Sequence, residues 1–275
     1  MRLETVLGKT ARYGIILILS LISLMPILWL ISTSFKMEVD AFSIPPVWLF
    51  IPTLENYADV LFGRDFARFL FNSVIVTAGT TFLTVAVGAF AAYGLARFRF
   101  VGRRVVSTSI LLINMIPSVV LVIPLFILWT RFRLTDTRIG LILIYTGINI
   151  PFAIWILRSF IIEVPFELEE AALMDGCGNI GIFIRILLPL IMPGVAATAI
   201  FVFRIAWNEF LLALILTGIE ARTVPVATGI FMTDHGIIWG SITAMGTIVA
   251  LPALVFTLLA GRYLVRGLTA GAVKY

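Results

Sequence analysis

The sequence predicts an all-α, polytopic membrane protein whose six transmembrane helices form a single domain over residues 1–275. Hydrophobic residues make up 61% of the chain and charged residues only 13%, whereas soluble domains carry about 25% charged residues. The mean hydropathy is +1.10, and long uncharged intervals separate the charged residues. A water-soluble globule is therefore excluded.

The uncharged intervals predict where the helices cross, because a charge at the centre of a bilayer costs about 3 kcal/mol. Five intervals reach the roughly 20 residues that a spanning helix needs, and they are 13–35, 69–96, 105–130, 139–157 and 236–261. The sixth span is interrupted by Arg204 and Glu209. Within residues 186–217 we expect a short lead-in and then one helix from about Gly194 to Thr217.

The first of these helices is expected to remain as a membrane anchor. Its apolar run of 23 residues, from 13 to 35, is longer than the roughly 7 to 15 residues of a signal-peptide core. No small-residue cleavage site of the Ala-x-Ala type follows it. Removal as a secretory signal is therefore not expected.

The basic residues predict that both chain termini lie in the cytosol. With six spans the termini share one side of the membrane, and the loops on that side hold 12 Lys and Arg residues against 7 on the other side. In membrane proteins the cytosolic loops carry the excess of basic residues. The formal net charge of +5 is accordingly interpreted as membrane topology, since the basic residues form no face of the kind that binds nucleic acid.

The long cytosolic loop of about residues 158–193 predicts two short helices that meet at a sharp corner. Pro165 suits the first position of the first helix, and three glutamates follow in the early turns, where the helix dipole favours negative charge. Gly176 can adopt the left-handed conformation that ends this helix. The three glutamates are Glu167, Glu169 and Glu170.

A second short helix is expected from Asn179, as its N-cap, to about Leu188, before Pro189 and Pro193 break it. The two helices would form a rigid, acidic protrusion on which another protein could dock. The alternative is a solvated amphipathic hairpin that lies on the membrane surface.

The spacing of residues within this loop matches a known motif. It reads Glu170-Ala171-Ala172, three residues, Gly176, nine residues, then Ile186-x-Leu188-Pro189. This pattern resembles the EAA loop of ATP-binding-cassette (ABC) importer permeases at every fixed position. Segments 91–102, 207–210 and 267–274 are similar to the carbohydrate-importer group, so the resemblance extends over the whole chain. Within that group the chain resembles the smaller permease subunit of maltose-type systems, from which it departs at Arg204 and Tyr275.

The resemblance implies a type I ABC importer permease fold in the inner membrane of a prokaryotic cell, and a division of labour between subunits. This permease would pair with a second, related permease as a heterodimer, while two ATP-binding subunits would bind from the cytosol. An external solute-binding protein would deliver the substrate, which would be a sugar, oligosaccharide, polyol or glycerol phosphate.

No ATP site is expected in the chain itself, which would therefore be neither an enzyme nor the holder of a cofactor. A P-loop needs a glycine five positions before Gly8, and Leu3 stands there instead. ATP would be bound by the partner subunits.

The resemblance also implies which residues couple the permease to the ATPase. The helix bearing Glu170 would sit in a cleft of an ATPase subunit, with Glu170 paired to a basic residue and Gly176 supplying the turn. Closure of the ATPase would then drive alternating access. The tail, residues 262–275, is a second candidate contact, unless it is a frayed terminus. The expected coupling residues are Glu170, Ala171, Ala172, Asp175, Gly176, Ile186, Leu188 and Pro189.

Polar side chains inside the predicted spans suggest a substrate path, because sugar sites commonly combine an aromatic platform with amide and carboxylate groups. The candidates are Asn114, Asn149, Trp207, Asn208 and Glu209. The alternative is that such residues make interhelical hydrogen bonds or contact a partner protein. Arg204 is expected to have a structural partner other than Glu209, since the two side chains point about 140° apart on an ideal helix.

Two other function classes predict different behaviour. An autonomous, proton-coupled secondary transporter would use Arg204 and Glu209 as a proton relay and would need no nucleotide. A membrane enzyme lacks support, because the single Cys177 and the single His235 leave no metal or thiol cluster.

Overall fold

A computed structural model describes residues 2–63, 65–233 and 236–271 of the chain. The elements follow in chain order as α1 (Arg2–Ser34), α2 (Glu38–Ala41), α3 (Glu55–Ala58), α4 (Phe66–Arg97), α5 (Arg103–Ile113), α6 (Ser118–Arg131), α7 (Arg138–Glu163), α8 (Glu167–Met174), α9 (Asn179–Ile182), α10 (Leu188–Leu190), α11 (Met192–Trp207), α12 (Leu211–Leu216), α13 (Val224–Ala227), β1 (Met232–Thr233), β2 (Gly236–Ile237) and α14 (Trp239–Gly271). A π-helical turn, Phe183–Leu187, joins α9 to α10. β1 and β2 form a short antiparallel pair, and the predicted all-α class is confirmed.

Within the described ranges, four helices are long and apolar enough to cross a membrane by themselves, namely α1 from Arg12, α4, α7 and α14 as far as Leu259. Two further pairs meet the same criterion only when their members are joined. α5 with α6 is bent by 99°, and the Asn179–Leu190 stretch with α11 is bent by 78°. When each bent pair counts as one span, the total reaches the predicted six.

Two of the predicted helices are interrupted in the structure. Residues 105–130 are not one helix, because α5 ends at Ile113 and α6 begins after Pro117, which has no N–H to donate. The helix predicted from Gly194 to Thr217 is also interrupted, since α11 ends at Trp207 and α12 begins at Leu211.

Contacts divide the chain into two compact units, residues 1–67 with 228–251 and residues 68–227 with 252–275. The expectation of a single membrane domain stays a prediction.

In the first unit, the Glu38 carboxylate accepts hydrogen bonds from the backbone N–H groups of Trp239 (3.2 Å) and Gly240 (3.3 Å). A carboxylate is favourable there because the N-terminus of a helix carries partial positive charge.

In the second unit, α4 packs closely against α7. A Cβ atom at Gly88 would lie 2.9 Å from the Cβ of Ala153, so the glycine allows the two backbones to approach. The apolar core between α4 and α7 also includes side chains from residues 183–191, which follow α7 in the chain. Its buried members are Ala89, Ala92, Tyr93, Leu95, Ala153, Ile154, Leu157, Ile161, Phe183, Leu187 and Ile191.

At the start of α4 and α7, the buried Asn72 connects three parts of the second unit. Its Nδ2 donates to the carbonyl oxygens of Glu220 and Arg222, both at 2.9 Å. Its Oδ1 accepts a hydrogen bond from Arg138 Nε at 2.7 Å. The N-terminal ends of both helices are thereby tied to the segment between α12 and α13.

Candidate functional site

The motif residues lie in the segment 164–191, here named the α8–α10 loop. α8 begins at Glu167, so Pro165 does not occupy the predicted first helical position. Val164, which precedes the proline, is extended with φ −75° and ψ 125°, and Phe166 is the N-cap residue. All three predicted glutamates do lie in the first turn of α8.

The corner after α8 has the geometry predicted for Gly176. This residue has φ +83°, its N–H donates to the Leu173 carbonyl (3.0 Å), and the N–H of Cys177 donates to the Ala172 carbonyl (3.0 Å). Those two bonds form a Schellman motif, which satisfies carbonyl groups at the end of a helix and needs a left-handed residue. A Cβ at Gly176 would meet nothing within 4 Å, so only its backbone conformation calls for glycine.

The second half of the loop departs from the prediction in two ways. Gly178 is the N-cap residue of α9, and Asn179 is the first helical residue. Pro189 does not end the helix, because the π-helical turn before it carries the chain into α10 and the sharp bend comes at Ile191. The N–H of Leu188 donates to the carbonyl of Phe183, five residues earlier, and the next residue, Pro189, has no N–H to donate.

The predicted coupling residues divide into exposed and buried sets. Glu170, Ala171, Asp175, Gly176 and Pro189 are exposed, Ile186 and Leu188 are half-buried, and Ala172 is buried. Four of the exposed residues lie in α8 or at the corner after it, whereas Pro189 lies in α10 and Ala172 packs inward.

Exposed apolar side chains at the same corner escaped the sequence prediction. Met174 is 89% exposed, Ile180 69% and Leu173 49%. The available signal was the presence of large apolar residues next to the acidic residue at the end of α8. The surface presented by the loop is thus apolar as well as acidic.

Glu169 does not belong to that exposed acidic surface. Its side chain is 4% exposed, and its Oε1 accepts a hydrogen bond from Nε of Arg97, the last residue of α4, at 2.5 Å. Arg97 Nη2 also donates to the Val164 carbonyl at 2.8 Å. Arg97 is one of the 12 basic residues from which cytosolic termini are predicted, and its pairing with Glu169 was not expected from the sequence.

Inside the second unit, two of the predicted path residues line a common cavity of about 130 Å³. These are Asn149 and Glu209. The Tyr145 hydroxyl is buried and has no hydrogen-bond partner among the described residues, although Asn149 Nδ2 donates to the Tyr145 carbonyl (2.8 Å). The complete lining is Ser118, Tyr145, Ile148, Asn149, Ile205, Ala206, Glu209 and Leu212. A tyrosine one helical turn before Asn149 was the signal for this site in the sequence.

Glu209 also explains the interruption between α11 and α12. Its Oε1 accepts a hydrogen bond from the backbone N–H of Leu212 at 2.9 Å, which satisfies a donor in the first turn of α12. Arg204 is exposed, and within the described part of the chain its side chain has no ion-pair partner. The structural partner expected for Arg204 stays a prediction.

The other predicted path residues do not line this cavity. Trp207 is buried and stacks on Phe203, with ring centroids 5.6 Å apart. Asn208 is exposed and its Nδ2 donates to the Arg204 carbonyl (2.7 Å). Asn114 is exposed at the break after α5.

Two further predictions concern the end of the chain and metal binding. Residues 262–271 of the tail continue α14, whereas 272–275 and His235 lie outside the described residues. Among the residues that are described, no three His, Cys, Asp or Glu side chains form a group suited to a metal ion.

Comparison with known proteins places this architecture among transport components. The model of the protein family described as "Binding-protein-dependent transport system inner membrane component" matches residues 84–270. The chain is 41% identical over 258 residues to the trehalose transport system permease protein SugB of Mycobacterium tuberculosis, with 92% of this chain and 93% of that protein covered. It is 37% identical over 262 residues to the trehalose/maltose transport system permease protein MalG of Thermococcus litoralis, with 94% of each chain covered.

A solved structure shares the fold. The crystal structure of a bacterial ABC transporter involved in the import of the acidic polysaccharide alginate matches with a TM-score of 0.78, covering 96% of this chain and 98% of that chain. The sequence identity is 20%, so this likeness establishes the fold alone. It confirms the permease fold that the sequence predicted.

Proposed function

The chain belongs to the family of binding-protein-dependent transport system inner membrane components, and we propose that it is the permease through which an ABC importer moves a sugar or a related solute. The solute class comprises oligosaccharides, polyols and glycerol phosphate. Two relatives are named for the transport of trehalose, or of trehalose and maltose. The observation that carries the proposal is the α8–α10 loop, which presents a complete EAA motif around an exposed corner at Gly176.

The exposed corner is the proposed docking site for an ATP-binding subunit. Glu170 would pair with a basic residue of that subunit, and the small side chain of Ala171 would permit close approach of its backbone. Met174, at 89% exposure, would supply apolar contact area that the sequence prediction did not include. Ala172, Ile186 and Leu188 would support the α8–α10 loop through packing, because their side chains are buried or half-buried.

The proposed complex contains this permease, a second related permease, two ATP-binding subunits and an external solute-binding protein. The family description, which specifies dependence on a binding protein, supports the last of these. Since Leu3 replaces the first glycine of a P-loop, ATP binding and hydrolysis are assigned to the partner subunits, and no cofactor is assigned to this chain. The excess of basic residues supports cytosolic termini.

The cavity at Tyr145 is the proposed contact with the solute. Its volume of about 130 Å³ corresponds to several waters at about 30 Å³ each, which is room for part of a sugar ring. Tyr145, Asn149 and Glu209 supply a hydroxyl, an amide and a carboxylate, which are suitable partners for the hydroxyl groups of a sugar or polyol. Roles for Asn114, Trp207 and Asn208 along the same path stay predictions.

Co-purification tests the docking proposal. The tagged chain is expressed with its ATP-binding subunit, and Glu170→Arg is compared with Glu163→Arg. The second variant reverses the charge at another exposed glutamate, which lies next to the same loop. We expect Glu170→Arg to lower recovery of the ATP-binding subunit about tenfold, equivalent to about 1.4 kcal/mol, and Glu163→Arg to have little effect. Full recovery of the ATP-binding subunit with Glu170→Arg would contradict docking at this corner. In a separate transport assay, solute uptake by the isolated chain without nucleotide would favour a secondary transporter.

Removal of one hydroxyl tests the cavity proposal. Tyr145→Phe keeps the ring and removes the buried hydroxyl that lacks a partner in the described residues. Thr146→Val is the matched control, because its hydroxyl is also buried without such a partner but does not line the cavity. We expect Tyr145→Phe to raise the KM for solute about tenfold, the effect of losing about 1.4 kcal/mol of binding. Equal KM values in the two variants would exclude a solute contact at Tyr145.

A further inference from the structure

Arg97 connects three helices at the point where α4 ends. Its Nε donates to Glu169 of α8 at 2.5 Å, and its Nη2 donates at 2.8 Å to the carbonyl of Val164, the residue after α7. The guanidinium carbon also lies 5.7 Å from the centre of the Phe166 ring, in the link between α7 and α8. One side chain therefore reaches the end of α7, the following link and the first turn of α8.

The burial of this pair distinguishes it from an ordinary surface ion pair. The side chains of Arg97 and Glu169 are 11% and 4% exposed, respectively. A buried ion pair is a poor way to gain stability, because well-packed apolar residues of similar size serve as well or better. Its value lies instead in the defined geometry that paired, directional donors impose.

The arginine is suited to holding two elements in a fixed relation. Its guanidinium is planar, and its donors point in fixed directions from one rigid group, whereas the ammonium of a lysine is a single flexible point. Because Nε and Nη2 bond to different elements, a displacement of α8 relative to α4 would break at least one of the two bonds.

A second contact ties α4 to the other half of the loop. Tyr93, one turn before Arg97, is buried, and its ring centroid lies 5.2 Å from that of Phe183 in the π-helical turn. α4 is thus fixed to the first half of the α8–α10 loop through Arg97 and to the second half through Tyr93.

We propose that Arg97 is a positioning residue that transmits displacement of α8 directly to α4, so that the docking loop and this spanning helix move as one body. The inference rests on the proposed function, since the displacement originates in the ATP-binding subunits. Glu169 is the acceptor on α8 through which the displacement reaches Arg97.

Distance measurements between spin labels test the proposal. Cysteines replace Glu167 in α8 and Val87 in α4, both exposed, in a Cys177→Ser background. The assembled importer is measured without nucleotide and with ATP and vanadate. In the otherwise unchanged protein, we expect the distance between the two labels to be the same in both states.

The double variant Arg97→Gln with Glu169→Gln removes the ion pair without leaving an unpaired buried charge. We expect its label-to-label distance to shift or broaden when ATP and vanadate are added, while the ATP-binding subunits remain bound. Arg97→Lys should show a smaller change of the same kind, since it keeps the charge but loses the rigid arrangement of donors. The control is Arg99→Gln, which removes an exposed positive charge two residues away and should behave like the unchanged protein.

The outcomes separate this inference from the proposed function. A constant distance in the double variant would overturn the role of Arg97, as would a nucleotide-dependent distance in the unchanged protein. Failure of both the double variant and Arg97→Lys to assemble would also overturn it, because the pair would then serve folding. Failure of the unchanged chain to bind any ATP-binding subunit would refute the proposed function itself.

Discussion

The two ends of the α4–α7 pair are held in different ways. Beside the α8–α10 loop, a buried ion pair between Arg97 and Glu169 carries the main polar connection, and the surface above it is exposed. At the opposite end, Asn72 bonds to two backbone carbonyls and to the Arg138 guanidinium, and Asp136 accepts two further backbone N–H groups. An exposed ion pair joins Arg68 to Glu220 at this end. The first end concentrates its buried polar contacts on one arginine side chain, whereas the second distributes its polar contacts over several residues.

Because of this difference, we expect substitutions at the two ends to affect different properties of the protein, namely stability at one end and binding of the ATP-binding subunit at the other. Each buried hydrogen bond contributes about 1 kcal/mol to stability, so the several bonds at the Asn72 end together make a large contribution. Substitutions at the Asn72 end should therefore appear mainly as changes in the free energy of unfolding. Substitutions at the exposed corner of the loop should appear mainly as loss of interaction with the ATP-binding subunit.

The largest effect is expected for Asn72→Leu. This change leaves the carbonyls of Glu220 and Arg222 and the Nε of Arg138 without their partner, at about 1 kcal/mol for each of the lost bonds. We expect the free energy of unfolding, measured by SDS titration in mixed micelles, to fall by about 3 kcal/mol. Asn208→Leu is the control, because that amide is exposed and donates to a neighbouring carbonyl in its own helix, and it should change the value by about 0.5 kcal/mol or less. Similar losses of unfolding free energy in the two variants would show that the buried bonds of Asn72 make no special contribution to stability.

A smaller effect is expected at the loop corner, where a pair of glycines gives a matched test. Gly176 has φ +83° and Gly178 has φ −77°, and a Cβ at either position would meet nothing within 4 Å. Gly176→Ala should therefore impose about 1–2 kcal/mol of backbone strain, while Gly178→Ala should impose almost none. We expect Gly176→Ala to lower recovery of the ATP-binding subunit about tenfold relative to Gly178→Ala. Equal recovery would show that the corner does not need its left-handed residue for docking.

The sequence could predict features that depend on local chemistry. The corner at Gly176 followed from the freedom of glycine, and the spans followed from the absence of charge over about 20 residues. The pairing of Arg97 with Glu169 could not be predicted, because 72 residues separate them and no spacing rule connects them. The interruption after Trp207 was missed because a carboxylate in an apolar run was interpreted as a path residue, whereas Glu209 also satisfies the N–H of Leu212.

The smallest effect is expected from pH at the Asn72 end. Partial burial raises the pKa of Asp136, but hydrogen bonds from the N–H groups of Ala221, Gly218, Glu220 and Ile219 outweigh it and hold the pKa below its ordinary value of 3.8. Because the folded state favours the carboxylate, this contribution to stability is fully present above the ordinary pKa and is lost as the pH falls through the lowered one. The free energy of unfolding of the unchanged protein, minus that of Asp136→Asn, should accordingly be constant between about pH 7 and pH 5 and decrease below about pH 4. A difference that stayed constant down to about pH 3 would show that the charge of Asp136 contributes nothing to the stability of this end of the helices.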